Sequence, residues 1–242
     1  MEISKEDLKI VIKNIENWGP KVDGWFVDEG QMRALFMAEL KKYLANKYFR
    51  QTELLFEQSY DLWPYEDKDG KKKIKGGKTD ILIKINGSEQ KIPIELKYKP
   101  GKDSSPEFYD QKIIFKKTNP SDLTRKACYE DIAKLECYLA KYNQKTGFFI
   151  FVSNLHDIWT VVKKGTAAES LTFIDGDYIN NNGEFKEKKK KKVTKYIING
   201  HYRIEWFTFG KCGFKCLIIQ VFPGNGKKSI QEYPLKKDIS NK

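Results

Sequence analysis

The stretch TDILIKINGSEQKIPIELKYK, Thr79 to Lys99, decides how the rest of the chain is read. Two isoleucine-rich runs, 79–85 and 90–98, flank Asn86-Gly87, a dipeptide suited to the left-handed backbone of a tight turn, so the pattern predicts a β-hairpin. With Asn86 to Glu89 as a four-residue loop, Ile85 pairs with Gln90, Ile83 with Ile92, Ile81 with Ile94, and Asp80 with Glu95. Directly opposed residues bring their Cβ atoms to about 5 Å. A two-residue turn would shift the pairing by two and still leave Asp80, Glu95 and Lys97 on one face, because side chains alternate along a strand. Only an odd-length loop separates them.

Two carboxylates so close repel each other and do little for a fold, yet they are what a hard divalent cation with oxygen ligands requires. A magnesium or manganese ion held there lowers the pKa of a bound water and polarises a phosphoryl oxygen. Lys97, on the same face, would steady the hydroxide or the charge growing on phosphorus. The plain alternative makes Asp80 and Lys97 solvated positions on an open sheet face and pairs Glu95 with a lysine, since a Glu-x-Lys triplet recurs by accident. Context favours the first reading. The triplet follows Ile92-Pro93-Ile94, comes fifteen positions after an aspartate that leads a strand, and has a helical segment upstream.

This arrangement resembles the PD-(D/E)xK nuclease superfamily, with Asp80 matching its aspartate and Glu95 and Lys97 its (D/E)xK pair. Thr79 stands where the name has proline, a position that varies widely among members. The resemblance implies an α/β fold: a restriction-endonuclease-like core, in which a mixed central β-sheet is flanked by helices, here with extra C-terminal strands. It implies Asp80, Glu95 and Lys97 as catalytic residues, and Asp80, Glu95 and the Leu96 carbonyl as ligands of Mg2+ or Mn2+. The segments RKACYEDIAKLE (Arg125 to Glu136), GFFIFVSNLHDIW (Gly147 to Trp159) and IINGHYRIEWFTF (Ile197 to Phe209) are similar to pieces of bacterial members that are uncharacterised or defence-associated. The similar pieces span about residues 28 to 222. The resemblance implies a metal-dependent endonuclease, acting on DNA more than RNA, in restriction or antiphage defence. A homodimer is a further expectation on the same ground.

Composition fits a nucleic-acid enzyme. The chain has 242 residues, 40% hydrophobic and 14% aromatic, enough to bury a substantial core in one domain. Its formal charge of +12 suits a polyanionic partner, although lysine is abundant throughout and also aids solubility. No apolar run approaches the roughly 20 residues needed to cross a bilayer, and the N-terminus is acidic and polar where a signal peptide is basic then apolar. A cytoplasmic protein without membrane contact is expected. The cysteines, Cys128, Cys137, Cys212 and Cys216, are too sparse for a disulfide scaffold, and CGFKC lacks a second pair or histidine to complete a zinc site.

Outward from the hairpin, Ser4 to Asp7 reads as a helix start followed by Leu8, Val11, Ile12, Ile15 and Trp18, with Gly19-Pro20 as the stop. A second helix is expected from about Asp28 to Lys47. Glu29, Met32, Phe36, Leu40 and Tyr43 recur at helical steps, which aligns Glu29 with the apolar stripe. A carboxylate facing inward is costly unless paired or metal-bound, so Glu29 is a candidate third acidic group of the site, as superfamily members often supply from the first core helix. Glu39 is the substitute. The reading without function has Glu29 simply favouring the positive helix N-terminus.

Glu53 to Phe56 reads as a first strand, leading through Trp63-Pro64 to a lysine-rich loop, 68–78. Lys73, Lys75 and Lys78 could contact phosphates there, and Gly76-Gly77 would permit close approach to a ligand. After the hairpin, 100–122 reads as a long mobile excursion. A helix over 122–142 places Arg125, Lys126 and Lys134 as candidate phosphate contacts by the same resemblance, with ordinary surface pairing as the alternative, and Asp131 flanking its buried face. Phe148 to Val152 should be a strand buried on both faces, followed by His156 in a loop. EFKEKKKKK, 184–192, reads as a solvated or disordered loop, and 196–198, 202–209 and 214–222 as three strands.

The organisation expected is one domain: an N-terminal helix over 1–20, a core over 28–160, a β extension over 170–222 and a loose tail from 223. Neither a Gly-rich phosphate cradle nor a Walker, serine-elbow or helix-turn-helix pattern is evident. A noncatalytic nucleic-acid-binding or partner-binding subunit on the same fold is the alternative reading.

Overall fold

The structure is a computed structural model that describes residues 2–16, 28–48, 52–66, 72–101, 107–108, 111–112, 121–160, 162, 164–179, 183–187, 189–210, 213–225 and 230–234. Helix α1 (Lys5–Glu16) starts at a reciprocal cap: Ser4 N donates to Asp7 Oδ2 (2.9 Å) while Asp7 N donates to Ser4 Oγ (3.2 Å). Helix α2 (Glu29–Tyr48) is capped by Asp28, whose Oδ1 accepts from Gln31 N at 2.8 Å. Next along the chain come β1 (Thr52–Glu66), β2 (Lys72–Ile85), β3 (Lys91–Lys99), β4 (Glu107–Phe108), β5 (Gln111–Lys112), α3 (Ser121–Lys141), β6 (Gly147–Ser153) and α4 (His156–Trp159). The C-terminal elements are β7 (Tyr178–Ile179), β8 (Gly183–Glu187), β9 (Lys192–Tyr196), β10 (Tyr202–Arg203), β11 (Trp206–Thr208), β12 (Lys215–Val221) and β13 (Ile230–Pro234).

A six-stranded sheet, ordered β1-β2-β3-β6-β12-β11, forms the centre. It is mixed: β3 and β6 run parallel, joined by the α3 crossover, and the other neighbours are antiparallel. Period-two alternation sends Ile81, Ile83, Ile94, Leu96 and Ile150 to the face covered by α1 and α2. Leu82, Phe149, Phe151 and Leu217 face α3 and the C-terminal strands. The chain is thus α/β, helices lie on both faces, and the extra strands form small sheets β8-β9-β13 and β7-β10. No described helix is long and apolar enough to cross a membrane.

Several expected boundaries move. The first strand is far longer than 53–56, and residues 72–78 of the lysine-rich segment are not a loop: they form the outer half of β2, with Gly77 paired to Tyr60 and Gly76 to Asp61. Low β propensity of Lys and Gly hid this, because cross-strand pairing overrides it. A Cβ at Gly77 would land 2.5 Å from the Tyr60 ring, so a larger residue there would have to displace the tyrosine. The 184–192 tract is half strand, β8, turning into β9 through Lys191 at φ +49. The tail is not wholly loose, for β13 pairs with β9 along its length. His156 opens α4 and does not sit in a loop. Trp18, Gly19-Pro20, Cys212 and most of the 100–122 excursion lie outside the described residues.

Candidate functional site

The site grows from the place where the hairpin opens. Strands β2 and β3 pair from Lys84↔Lys91 to Ile81↔Ile94, in the register expected from the four-residue turn, and Ile85 N donates to Gln90 O. Beyond Ile81, β2 continues along β1, while β3 continues along β6. The fork opens at Asp80 and Glu95. Thr79 fixes its base by donating its hydroxyl to the Ile94 and Ile81 carbonyls, at 3.1 and 3.0 Å.

On the fork-facing edge of β3, Leu96 and Tyr98 present N–H groups that β2 no longer meets. Two carboxylates take them. Asp80 Oδ2 accepts from Leu96 N at 2.7 Å, and Glu29 Oε2, from the first turn of α2, accepts from Tyr98 N at 3.1 Å. Because a strand residue turns its N–H and C=O toward the same neighbour, the Leu96 carbonyl opens on the fork as well. One helical turn after Glu29, Arg33 places Nη1 2.7 Å from Asp80 Oδ1 and 3.1 Å from Glu57 Oε1, with its guanidinium over the Phe56 ring.

Glu95 and Lys97 point to the α3 side. Lys97 Nζ lies 2.9 Å from Asp131 Oδ2, both largely buried, and Lys134 sits 2.8 Å from Glu130 and 3.9 Å from Asp131. Burial raises the Glu95 carboxyl well above its usual range, and the charges of Asp131 and Asp80 push it the same way. Burial also raises Asp80, against the opposing Leu96 hydrogen bond and Arg33. For Lys97 burial acts downward, but Asp131 and Glu29 more than reverse it, so the side chain stays an ammonium. The Tyr60 hydroxyl is buried with no hydrogen-bond partner among the described residues, and after burial itself the field of Glu95 is what most resists its ionisation.

Among the described residues, six carboxylates (Glu29, Glu57, Asp80, Glu95, Glu130, Asp131) interact around the fork against three cations, Arg33, Lys97 and Lys134. In a chain of net charge +12 this is a local concentration of acidic groups. Asp80, Glu95 and the Leu96 carbonyl are hard oxygen donors of the kind a divalent cation takes. Among the described residues no three His, Cys, Asp or Glu side chains converge as a metal-holding group; Asp80 accepts from Arg33 and Leu96 N, and Glu29 from Tyr98 N.

The remaining candidates divide. Glu29 stands at the fork. Glu39 lies almost three turns further along α2, buried beside Lys42 at 3.6 Å, and is not part of it. Lys73, Lys75 and Lys78 are exposed on the outer half of β2, next in sequence to Asp80. Arg125 does not face a cleft: it is 2% exposed and its guanidinium donates to the carbonyls of Asp157, Ile158 and Leu171, pinning α4 to α3. Lys126 is paired with Glu187 at 2.7 Å, and Lys134 with Glu130 and Asp131. The sequence reading missed Arg33, Glu57 and Tyr60, and assigned Asp131 no role. The i,i+4 spacing of Glu29 and Arg33 was the one local signal for any of them.

No protein-family model and no curated protein matches this chain. Among solved structures, the crystal structure of SSO0001 shows a weak likeness, with TM-score 0.25 and 14% identity over 63% of this chain and 73% of that one. It carries no argument about fold or activity.

Proposed function

We propose that the chain is a metal-dependent nuclease with a restriction-endonuclease-like core, hydrolysing phosphodiester bonds, in DNA in preference to RNA. The observation that supports this reading is the fork where β2 and β3 part: Asp80 accepts from Leu96 N there, and its charge acts on Glu95 while that of Lys97 acts on both acids. Asp80, Glu95 and Leu96 would hold Mg2+ or Mn2+. The ion would supply an activated water and polarise the phosphoryl oxygen. Lys97, kept cationic by Asp131, stabilises charge developing on the phosphate and does not act as a base. Glu29 holds the β3 edge in place through Tyr98 N. The exposed lysines of β2 attract the backbone on one lip of the fork.

A noncatalytic binding subunit is the competing reading, favoured by the engagement of both Asp80 oxygens with protein groups. Incubation with plasmid and single-stranded DNA in Mg2+, Mn2+ or EDTA separates the two. Metal-dependent cutting that is lost in Asp80→Ala and Lys97→Ala supports the enzyme. Tight binding without cleavage in any metal supports the subunit. A restriction or antiphage role, a homodimer and a cytoplasmic location remain parts of the proposal carried by sequence resemblance and composition.

A further inference from the structure

Three described residues other than glycine have positive φ: Glu57, Asn143 and Lys191. Asn143 follows the end of α3 and Lys191 lies in the β8–β9 turn, where the left-handed conformation is ordinary. Glu57 has no such excuse. It sits within the 15-residue strand β1 at φ 45, between the pairs Phe56↔Ile81 and Gln58↔Thr79, directly across from Asp80. A strained backbone persists where surrounding structure enforces it, and such positions gather at functional sites. At this strained position the Glu57 carboxylate lies 3.1 Å from Arg33, and the same Arg33 nitrogen lies 2.7 Å from Asp80.

We propose that Glu57 and Arg33 form a latch at the fork, with Arg33 parked on Asp80 as a stand-in cation and Glu57 holding it within reach when a metal ion takes its place. The inference rests on the nuclease reading and extends it. Arg33 sits on Asp80 Oδ1 and Leu96 N on Oδ2, so a metal ion that takes Oδ1 displaces the guanidinium. Once displaced, the guanidinium keeps Glu57 and the Phe56 ring as partners and lies beside the position of the scissile phosphate, where its planar fork suits two phosphate oxygens. Arg33 is therefore assigned as a phosphate-binding residue and Glu57 as the residue that positions it.

Calorimetric titration of the full chain with Mn2+, without nucleic acid, tests this apart from catalysis. Arg33→Gln should bind Mn2+ about tenfold more tightly than wild type, because a competing cation is gone, and should bind a short DNA duplex more weakly in Ca2+. Glu57→Gly should raise the melting temperature, glycine being at ease at this φ, and should also weaken duplex binding. Wild type that binds Mn2+ with Arg33→Gln equal or weaker overturns the latch and leaves the nuclease reading standing. Failure of both proteins to bind Mn2+ overturns both. A Glu57→Gly variant that binds the duplex as tightly as wild type overturns the assignment of Glu57.

Discussion

The ammonium of Lys97 lies 2.9 Å from the carboxylate of Asp131, so the lysine of the hairpin is held by α3 and not by the two acids of its own strands. The crossover helix is thereby part of the site. The chain segment that makes β3 and β6 parallel neighbours also supplies the counter-ion for the residue proposed to stabilise the reacting phosphate.

Asp131→Asn should remove that counter-ion and leave a largely buried ammonium. Breaking one side of such a pair costs roughly 3–5 kcal/mol, so the melting temperature should fall. Asp131→Asn/Lys97→Met should recover much of it. In cleavage assays Asp131→Asn should lower kcat more than it raises KM, and in melting experiments the losses of Asp131→Asn and Lys97→Met should be strongly non-additive. Independent, additive losses would show that Asp131 does not act through Lys97.

Glu95→Gln should separate stability from activity. Glu95 is 7% exposed, and burial with Asp131 and Asp80 raises its carboxyl well above the usual 4.5, so its ionised form is unfavourable in the metal-free fold. A raised carboxyl pKa contributes stability at low pH that is lost as pH rises through the folded-state value. The neutral amide should therefore melt higher than wild type at pH 8, with the difference shrinking as pH falls toward 5, while cleavage is abolished. A variant that melts lower at pH 8 would contradict this electrostatic picture.

Asp7 makes the opposite case. Burial pushes it up, but Lys47, Tyr43 and Ser4 together hold it down at about 2, against an ordinary 3.8. Its stabilising contribution is present above pH 3.8 and is lost as pH falls toward 2. Asp7→Asn should lower the melting temperature at pH 7, and the gap from wild type should close in that acid window. The two proteins' melting curves across pH 2 to 7 measure it.

Glu136 tests what holds the C-terminal strands on α3. It is fully buried and accepts from Asn199 N, Asn199 Nδ2, Gly200 N and the Tyr202 hydroxyl, at 2.7 to 3.0 Å. Glu136→Ala leaves several buried donors unmet, at about 1–3 kcal/mol each. Urea unfolding should show a loss of at least ~3 kcal/mol, together with faster amide exchange at 199–202. A near-neutral effect would mean that the loop is held by packing alone.

The hairpin was legible because its information is local. Asn86-Gly87 fixes the turn, isoleucine alternation fixes the face, and the register that brings Ile81 opposite Ile94 comes from the two together. The α2 stripe of Met32, Phe36 and Leu40 was legible for the same reason. The features that escaped depend on long-range geometry. Arg33 meets Asp80 across 47 positions, and the Glu57 backbone conformation has no sequence signature. Arg125 reads as a surface cation until α4 and the segment at Leu171 close over it. The lysines of β2 read as loop because their pairing with β1, not their own propensity, makes them strand. Asp131 was visible on the flank of its helix, but its partner was not.

If the proposed function is right, Asp80, Glu95 and the Leu96 carbonyl seat a divalent cation. Anomalous diffraction from crystals soaked in Mn2+ tests it most directly. The account predicts a peak in the fork, with ligand oxygens from these three residues at about 2.1 Å and Arg33 turned away from Asp80. An empty fork with Arg33 still bound to Asp80 at saturating Mn2+ would contradict it.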